Sequence, residues 1–450
     1  MQQKENKMGT MPVNKLLMSV SLPIMISMLV QALYNIVDSI FVAKYSPAGF
    51  TAISLAFPAQ SLMISLAVGT GVGINSLLSR RLGEKRFDEA NKAATNGIFL
   101  SFLSSLLFAV LGFVFSYKFF STFTKDTEVI NYGTEYLTIC TVLSIGVFMQ
   151  VTLERLLQAT GNSLFSMFTQ GAGAVMNIIF DPILIFGYLG FPEMGIKGAA
   201  IATVCGQIFA AVLGVVFNIK KNKEISLSFK GFRPSAGIIA DIYRVGVPSI
   251  IMQSIVSVMT ALVNKILDND TAVSVMGAYF KIQSFIFMPI FGLTNGMVPI
   301  VGYNFGAKKK DRIYKTIHSS LFISMSVMAV GTLVFLFLPG ILLKIFSADD
   351  ALMKMGVPAL RIMGMCFVTA GVCIVISSSF QAIGCGMYSL IISLVRQLIF
   401  LVPIVFVMKI LFGLGAVWWA FPISDIISLI ITLLLYANVK KKYIEPIKSE

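Results

Sequence analysis

Gly83-Glu84-Lys85-Arg86-Phe87-Asp88 returns 223 residues later as Gly306-Ala307-Lys308-Lys309-Lys310-Asp311. At the same spacing Gln158-Ala159-Thr160-Gly161 returns as Gln381-Ala382-Ile383-Gly384. Single positions keep this register: Phe123 meets Phe346, Asp126 meets Asp349, Gly133 meets Gly356 and Ser166 meets Ser389, while Leu22-Pro23 meets Val247-Pro248 at 225. One half of the chain is a tandem copy of the other. Whatever the first half forms, the second half is expected to form again.

What it forms follows from the residues around these segments. Hydrophobic residues make up 56% of the chain and charged ones 12%, with a mean hydropathy of +0.85. A water-soluble chain could not cover so much apolar surface. A spanning helix needs about 20 apolar residues, and six such stretches occur per half: near 14–40, 51–79, 93–118, 131–158, 163–188 and 196–219, then 238–266, 272–304, 314–338, 355–383, 387–410 and 414–437. The pattern predicts an all-α membrane protein of twelve transmembrane helices in two tandem six-helix bundles. The bundles are expected over 1–219 and 238–450, joined by a basic cytoplasmic linker over 220–237. In a membrane chain such repeats mark transporters.

Lys and Arg distribute unevenly over the connections. With the N-terminus taken as cytoplasmic, 24 lie on that side and 8 on the other, with Lys281, Arg361 and Arg396 inside helices or at their ends. This asymmetry satisfies the positive-inside rule and places both termini in the cytoplasm. The formal charge of +14 is thereby accounted for by topology and lipid headgroups, and Lys308-Lys309-Lys310 does not require a nucleic-acid partner. The first apolar stretch is too long for a signal peptide and has an internal counterpart at 238–266. Cys140, Cys205, Cys366, Cys373 and Cys385 stand in apolar helices without ligand spacing, so they read as small packing residues and imply no disulfide or metal. Gly69-Thr70-Gly71-Val72-Gly73 lies in an apolar helix with no following Lys-Ser/Thr, which argues for helix packing rather than a nucleotide loop. His318 has no nucleophile or metal ligand beside it in sequence, and no enzymatic activity or cofactor is expected.

An acid at the centre of a spanning helix costs about 3 kcal/mol on insertion scales, so intramembrane acids are functional candidates. In the first helix Gln31, Tyr34, Asn35 and Asp38 share one face, at i, i+3, i+4 and i+7. In the fifth, Gln170, Gly173, Asn177 and Asp181 do the same, and Pro182 frees the carbonyl of Ile178 beside the acid. At 1.5 Å per residue Asp38 lies roughly 33 Å and Asp181 roughly 27 Å from the cytoplasmic starts of their helices. Thr203 and Gln207 on the sixth helix enter near that level. The second half keeps the stripe, as Gln253, Ser257, Thr260 and Asn264, but has Val263 where the first has Asp38. Its intramembrane charges are Lys281, Arg396 and Asp425. Arg396 and Asp425 are expected to pair structurally, and Lys281 to face a cavity.

On these residues the chain resembles the multidrug and toxic compound extrusion family, and within it the DinF-like branch. The likeness covers almost the whole chain. It rests on Asn177-Ile178-Ile179-Phe180-Asp181-Pro182, Gly198-Ala199-Ala200-Ile201-Ala202-Thr203, the paired Gln-Ala-x-Gly segments, and Met288-Pro289-Ile290-Phe291-Gly292-Leu293 leading to Gly302-Tyr303-Asn304-Phe305-Gly306. The resemblance implies the fold shared with the related flippases and cation-coupled export by alternating access. It places the ion site at Tyr34, Asp38, Asn177, Asp181 and Thr203. Two acids there can share or trade a proton, and their oxygens, with Asn177 and Thr203, can equally ligate Na+. The NorM-like branch has further acids in helices seven and ten; in this chain helix ten has none and helix seven only Asp241, beside its cytoplasmic start, so ion coordination in the second half is not expected. The expected substrate is a small organic cation, held in a cavity lined by Gln31, Asn35, Gln170, Gln207, Gln253, Ser257 and Lys281. The expected setting is a monomer in the lipid of the cytoplasmic (inner) membrane. The runner-up is a flippase of lipid-linked oligosaccharides, whose polyanionic pyrophosphate would call for several basic residues in the cavity. Here only Lys281 and Arg396 qualify, against two acids.

The charge asymmetry predicts that a cysteine introduced at Ser228 is labelled by a membrane-impermeant maleimide only from inside, and one at Asp349 only from outside. Labelling of both from the same side would overturn the topology.

Overall fold

A computed structural model describes residues 6–345 and 350–447, so Phe346 and Asp349 lie outside the described residues. The backbone is helical almost throughout, as hydrocarbon requires of a chain that must satisfy its own amides and carbonyls. A short helix α1 (Lys7–Thr10) precedes the spans. The first-half helices are α2 (Val13–Tyr45), α3 (Pro47–Gly83), α4 (Phe87–Phe123), α5 (Thr127–Val142), α6 (Ile145–Ala159), α7 (Ser163–Phe186) and α8 (Gly195–Lys220). The second half has α9 (Ala236–Leu267), α10 (Asp270–Gly306), α11 (Lys310–Phe337), α12 (Pro339–Ile345), α13 (Asp350–Gly364) and α14 (Phe367–Ala382). It closes with α15 (Gly386–Phe412) and α16 (Leu414–Ile444). Among the described residues ten helices are long and apolar enough to cross a membrane, and two pairs, α5 with α6 and α13 with α14, pass the same test together but are bent by 45° and 48°. Counted as one span each, these pairs bring the total to twelve, and they are repeat partners.

The repeated segments have the same local structure in both copies. At Gly161 and Gly384 the backbone is left-handed, with φ of 82° and 86°. Asn162 N–H closes onto the Leu157 carbonyl at 2.7 Å, and Cys385 N–H onto the Phe380 carbonyl at 2.8 Å. These are helix ends of Schellman type, and glycine stands where an L side chain would be strained. The other pair does the same with lysine: Lys85 and Lys308 have φ of 59° and 57°, with Arg86 N–H on Arg81 O and Lys309 N–H on Asn304 O, both at 2.9 Å.

Two compact units emerge, residues 26–250 and residues 1–25 with 251–450. Both α2 and α9 therefore contribute to two units, and each has a proline, Pro23 or Pro248, two residues before its transition. In the unit of residues 26–250 the glycine run of α3 is a packing surface. A Cβ at Gly73 would lie 2.2 Å from the Ile242 carbonyl oxygen, and one at Gly69 would lie 2.7 Å from the Ile250 nitrogen. The linker is tied to α4, where Asn91 and Asn96 Oδ1 accept from the Ser226 and Ser235 amides at 2.8 and 3.0 Å. Arg155 is no loop charge, contrary to its place in the topology count: it is buried in α6.

In the other unit Arg396 Nε donates to Asp425 Oδ1 at 2.7 Å, and Ser424 Oγ donates to the Arg396 carbonyl at 2.7 Å. Arg396 lies in a π-helical turn, Val395–Leu401. The expected ion pair is present. The N-terminal residues are held by polar groups of the same unit: Arg312 donates to the Met8 and Met11 carbonyls, Asn304 to Met8 and Lys309 to Gly9. Large apolar side chains remain on the outside, including Phe57, Phe113, Phe322 and Phe337, as a lipid-facing surface requires.

Breaking one side of the Arg396–Asp425 pair leaves a charge in an apolar interior, a loss of about 3 to 5 kcal/mol. Arg396→Leu and Asp425→Leu should each lower the thermal midpoint of the detergent-solubilised protein by several degrees. The double variant should regain most of the loss; additive losses would show the pair to be uncoupled.

Candidate functional site

α7 and α8 cross almost backbone to backbone. A Cβ at Gly206 would sit 2.7 Å from the Gly173 carbonyl oxygen, one at Gly173 would sit 2.9 Å from the Gly206 carbonyl oxygen, and one at Gly198 would sit 2.5 Å from the Leu184 carbonyl oxygen. Such contact between helices is possible only where side chains are absent. It brings Asn177 of α7 against Thr203 of α8. With its carboxamide oriented as its neighbours require, Asn177 Nδ2 donates to Asp181 Oδ2 at 3.1 Å, and its oxygen accepts from Thr203 N–H at 3.1 Å and Thr203 Oγ1 at 3.3 Å. Asp181 is fully buried and Asn177 nearly so.

α2 supplies the second acid. The Asp38 and Asp181 carboxyl groups interact directly, and Tyr34, one turn before Asp38, lies within electrostatic reach of both. One turn further back, Gln31 Oε1 accepts from Gln170 Nε2 of α7 at 2.6 Å. Two oxygens have no hydrogen-bond partner although buried, Asp38 Oδ1 and Asp181 Oδ1. A buried carboxylate oxygen without a donor costs about 1 to 3 kcal/mol or more. Each of the two acids therefore keeps one oxygen without a hydrogen-bond partner. A proton or a cation would supply one.

Of the expected site residues, the structure brings together Tyr34, Asp38, Asn177, Asp181 and Thr203, with Gln31 and Gln170 as a polar rung beside them. Two are placed elsewhere. Asn35 stands exposed on α2, because a four-residue stripe spans more arc than one neighbour covers. Gln207 Cβ would lie 3.1 Å from a Cβ at Gly146, so this residue packs along α6. In the other unit Gln253, Ser257 and Lys281 are exposed side chains.

Sequence reasoning missed several partners. Tyr136 and Cys140 of α5, at i and i+4, lie within electrostatic reach of Asp38, and Gln60 of α3 donates to the Tyr136 hydroxyl at 3.3 Å. Their contribution from two separate helices leaves no stripe to read. Gln150, Glu154 and Gln158 of α6 do form one, at i, i+4 and i+8, and the stripe rule already used for α2 and α7 would have found it.

A family model described as MatE matches residues 23–183 and 245–407, once per repeat. The multidrug export protein MepA of Staphylococcus haemolyticus (strain JCSC1435) is 26% identical over 431 residues, covering 95% of this chain and 94% of its own. That of Staphylococcus aureus (strain MRSA252) is 26% identical over 428 residues, covering 94% and 93%. Among solved structures, a MOP superfamily transporter from Pyrococcus furiosus superposes with a TM-score of 0.91 at 25% identity, over 98% of this chain and 100% of that one. The outward-facing conformation of a multidrug resistance MATE family transporter gives 0.91 at 23% over the whole of both chains, a likeness of fold.

The crossing can be tested without touching an acid. Gly206→Ala forces α7 and α8 apart and should cost about 1 to 3 kcal/mol, read as a lower thermal midpoint in detergent. Gly171→Ala, on α7 with no atom within 4 Å of the added carbon, should leave the midpoint unchanged. Equal midpoints for the two variants would contradict the contact.

Proposed function

Because the chain belongs to the MatE family, we propose that this multi-pass membrane protein is a proton-coupled exporter of small organic cations, with Asp38 and Asp181 as the coupling pair. One observation carries the reading: two carboxyl groups in direct contact, each with a buried oxygen that no donor reaches. Two ionised carboxylates at that separation repel, and a single proton between them removes both the repulsion and a missing hydrogen bond. The pair can then alternate between a protonated form and one that holds a positive group. Exchange of proton for substrate, with the site open in turn to either side, is antiport.

Asn177 supports a proton over sodium. Its amide nitrogen is turned to Asp181 and its oxygen is occupied by Thr203, so Asn177 presents no free carboxamide oxygen to an ion beside the acids. Thr203 fixes that orientation, and Tyr34 closes the site from α2. Gln31 with Gln170, and the exposed Gln253, Ser257 and Lys281, are proposed to line the substrate path. The flippase reading loses support, since Arg396, one of the two basic candidates for a pyrophosphate, is neutralised by Asp425. We place the protein in the cytoplasmic membrane with both termini inside, on the charge asymmetry.

Asp181→Asn preserves size and hydrogen bonding but not charge. It should fold with an unchanged thermal midpoint and lose at least tenfold of substrate efflux from energised vesicles when a pH gradient drives transport, with an imposed sodium gradient ineffective for both forms. Asp38→Asn should show the same defect, and the double variant should be no worse, as expected of residues that act as one unit. Near-normal efflux by Asp181→Asn would refute the site, and efflux driven by sodium alone would replace the proton.

A further inference from the structure

Glu154 is a second buried carboxyl group that the coupling pair does not use. It is 7% exposed, in the interior of α6. Its neighbours on that helix face elsewhere. Thr152 pairs with Ser101 of α4 at 2.5 Å, Leu153 packs 2.9 Å from a Cβ at Gly214 of α8, and its carbonyl accepts from Asn218 at 3.0 Å. Arg155 Cγ lies 2.9 Å from a Cβ at Gly71 of α3. At 100° per residue the face left over bears Gln150, Glu154 and Gln158.

On that face Gln150 Nε2 donates to Glu154 Oε1 at 3.0 Å. Arg155 Nη1 donates to Gln158 Oε1 at 3.0 Å, and Gln158 Nε2 to Ser166 Oγ of α7 at 2.9 Å. Among the described residues the charge that acts on Glu154 is that of Arg155, whose Nη1 is turned to Gln158. One neutral donor is poor compensation for a carboxylate removed from water. The second half has Ser377 at the corresponding position, so the acid is not demanded by the repeated fold.

α6 and α7 are joined by the tight turn at Thr160–Asn162 and run antiparallel. At 1.5 Å per residue Glu154 lies about 9 Å from that turn and Asp181 about 27 Å, a separation of about 18 Å along the helices. Resting on the reading of the protein as an exporter of organic cations, we propose that Glu154 is a second carboxylate station, nearer the α6–α7 turn, which binds the positive group of the substrate. The turn side is the cytoplasmic side by charge, so a cation leaving the cytoplasm meets Glu154 before the coupling pair. Gln150 orients the carboxylate, and Arg155 with Gln158 and Ser166 ties α6 to α7 behind it.

The test is equilibrium binding of ethidium to the purified full-length protein in detergent, read by fluorescence anisotropy. Glu154→Gln should bind at least tenfold more weakly with an unchanged thermal midpoint, and Glu154→Asp should recover part of the loss. If the variants do not fold, the unaltered protein still decides: saturating ethidium should protect Glu154 from carbodiimide labelling, read by peptide mass spectrometry. Normal ethidium affinity in Glu154→Gln, or labelling of Glu154 indifferent to ethidium, overturns the station. So does an unaltered protein that binds neither ethidium nor tetraphenylphosphonium. The two proposals fail separately. Weak binding by Glu154→Gln with normal coupled efflux by Asp181→Asn sinks the coupling pair alone, and the reverse pattern sinks the station alone.

Discussion

The contact of α7 with α8 at Gly173 and Gly206 is the constraint on which the candidate site depends. Lipid gives no hydrophobic drive for helix association, so helices that must meet closely do so by removing side chains. Here the carbonyl of each glycine occupies the space a Cβ of the other would need. That proximity lets Asn177 reach across to the backbone and hydroxyl of Thr203. With its oxygen so engaged, the carboxamide has only its nitrogen to offer Asp181. The donor at the acid is thus set by a packing detail one turn away.

The same economy of polar groups explains how the two units differ. Around Arg396 and Asp425 the account closes: charge meets charge, and Ser424 donates to the Arg396 carbonyl. Nothing there asks for a further ligand. Around Asp38 and Asp181 it stays open by two oxygens, and around Glu154 a single glutamine donor faces a whole carboxylate. A closed network holds a fold together, whereas a carboxyl group left open in hydrocarbon is a candidate binding group. The repeat supplied one architecture twice, and the polar residues placed in each copy separate a structural pair from candidate binding groups.

Much of this was legible in the chain. The 223-residue repeat and the twelve apolar stretches follow from patterns that are local, or that compare two positions by number alone. The stripes of α2 and α7 were legible for the same reason, since helical spacing assigns residues to a face without a partner in view. The stripe also overreached. Asn35 satisfies it and yet stands exposed, because sharing a face says nothing of how wide the neighbouring helix is. Gln207 sits one turn beyond Thr203 but packs on α6, since helices that cross diverge within a turn or two.

The sequence by itself determined that the chain is helical and which twelve stretches are apolar enough to span, because hydrogen bonding in lipid leaves the backbone no alternative to the helix. Only the tertiary structure decided which sheltered groups meet. Asp38 and Asp181 lie 143 residues apart in the chain, and Tyr136 and Gln60 join them from two further helices. Their meeting depends on crossing distances between helices, which are fixed by side-chain volumes at the contacts and leave no periodic trace along the chain.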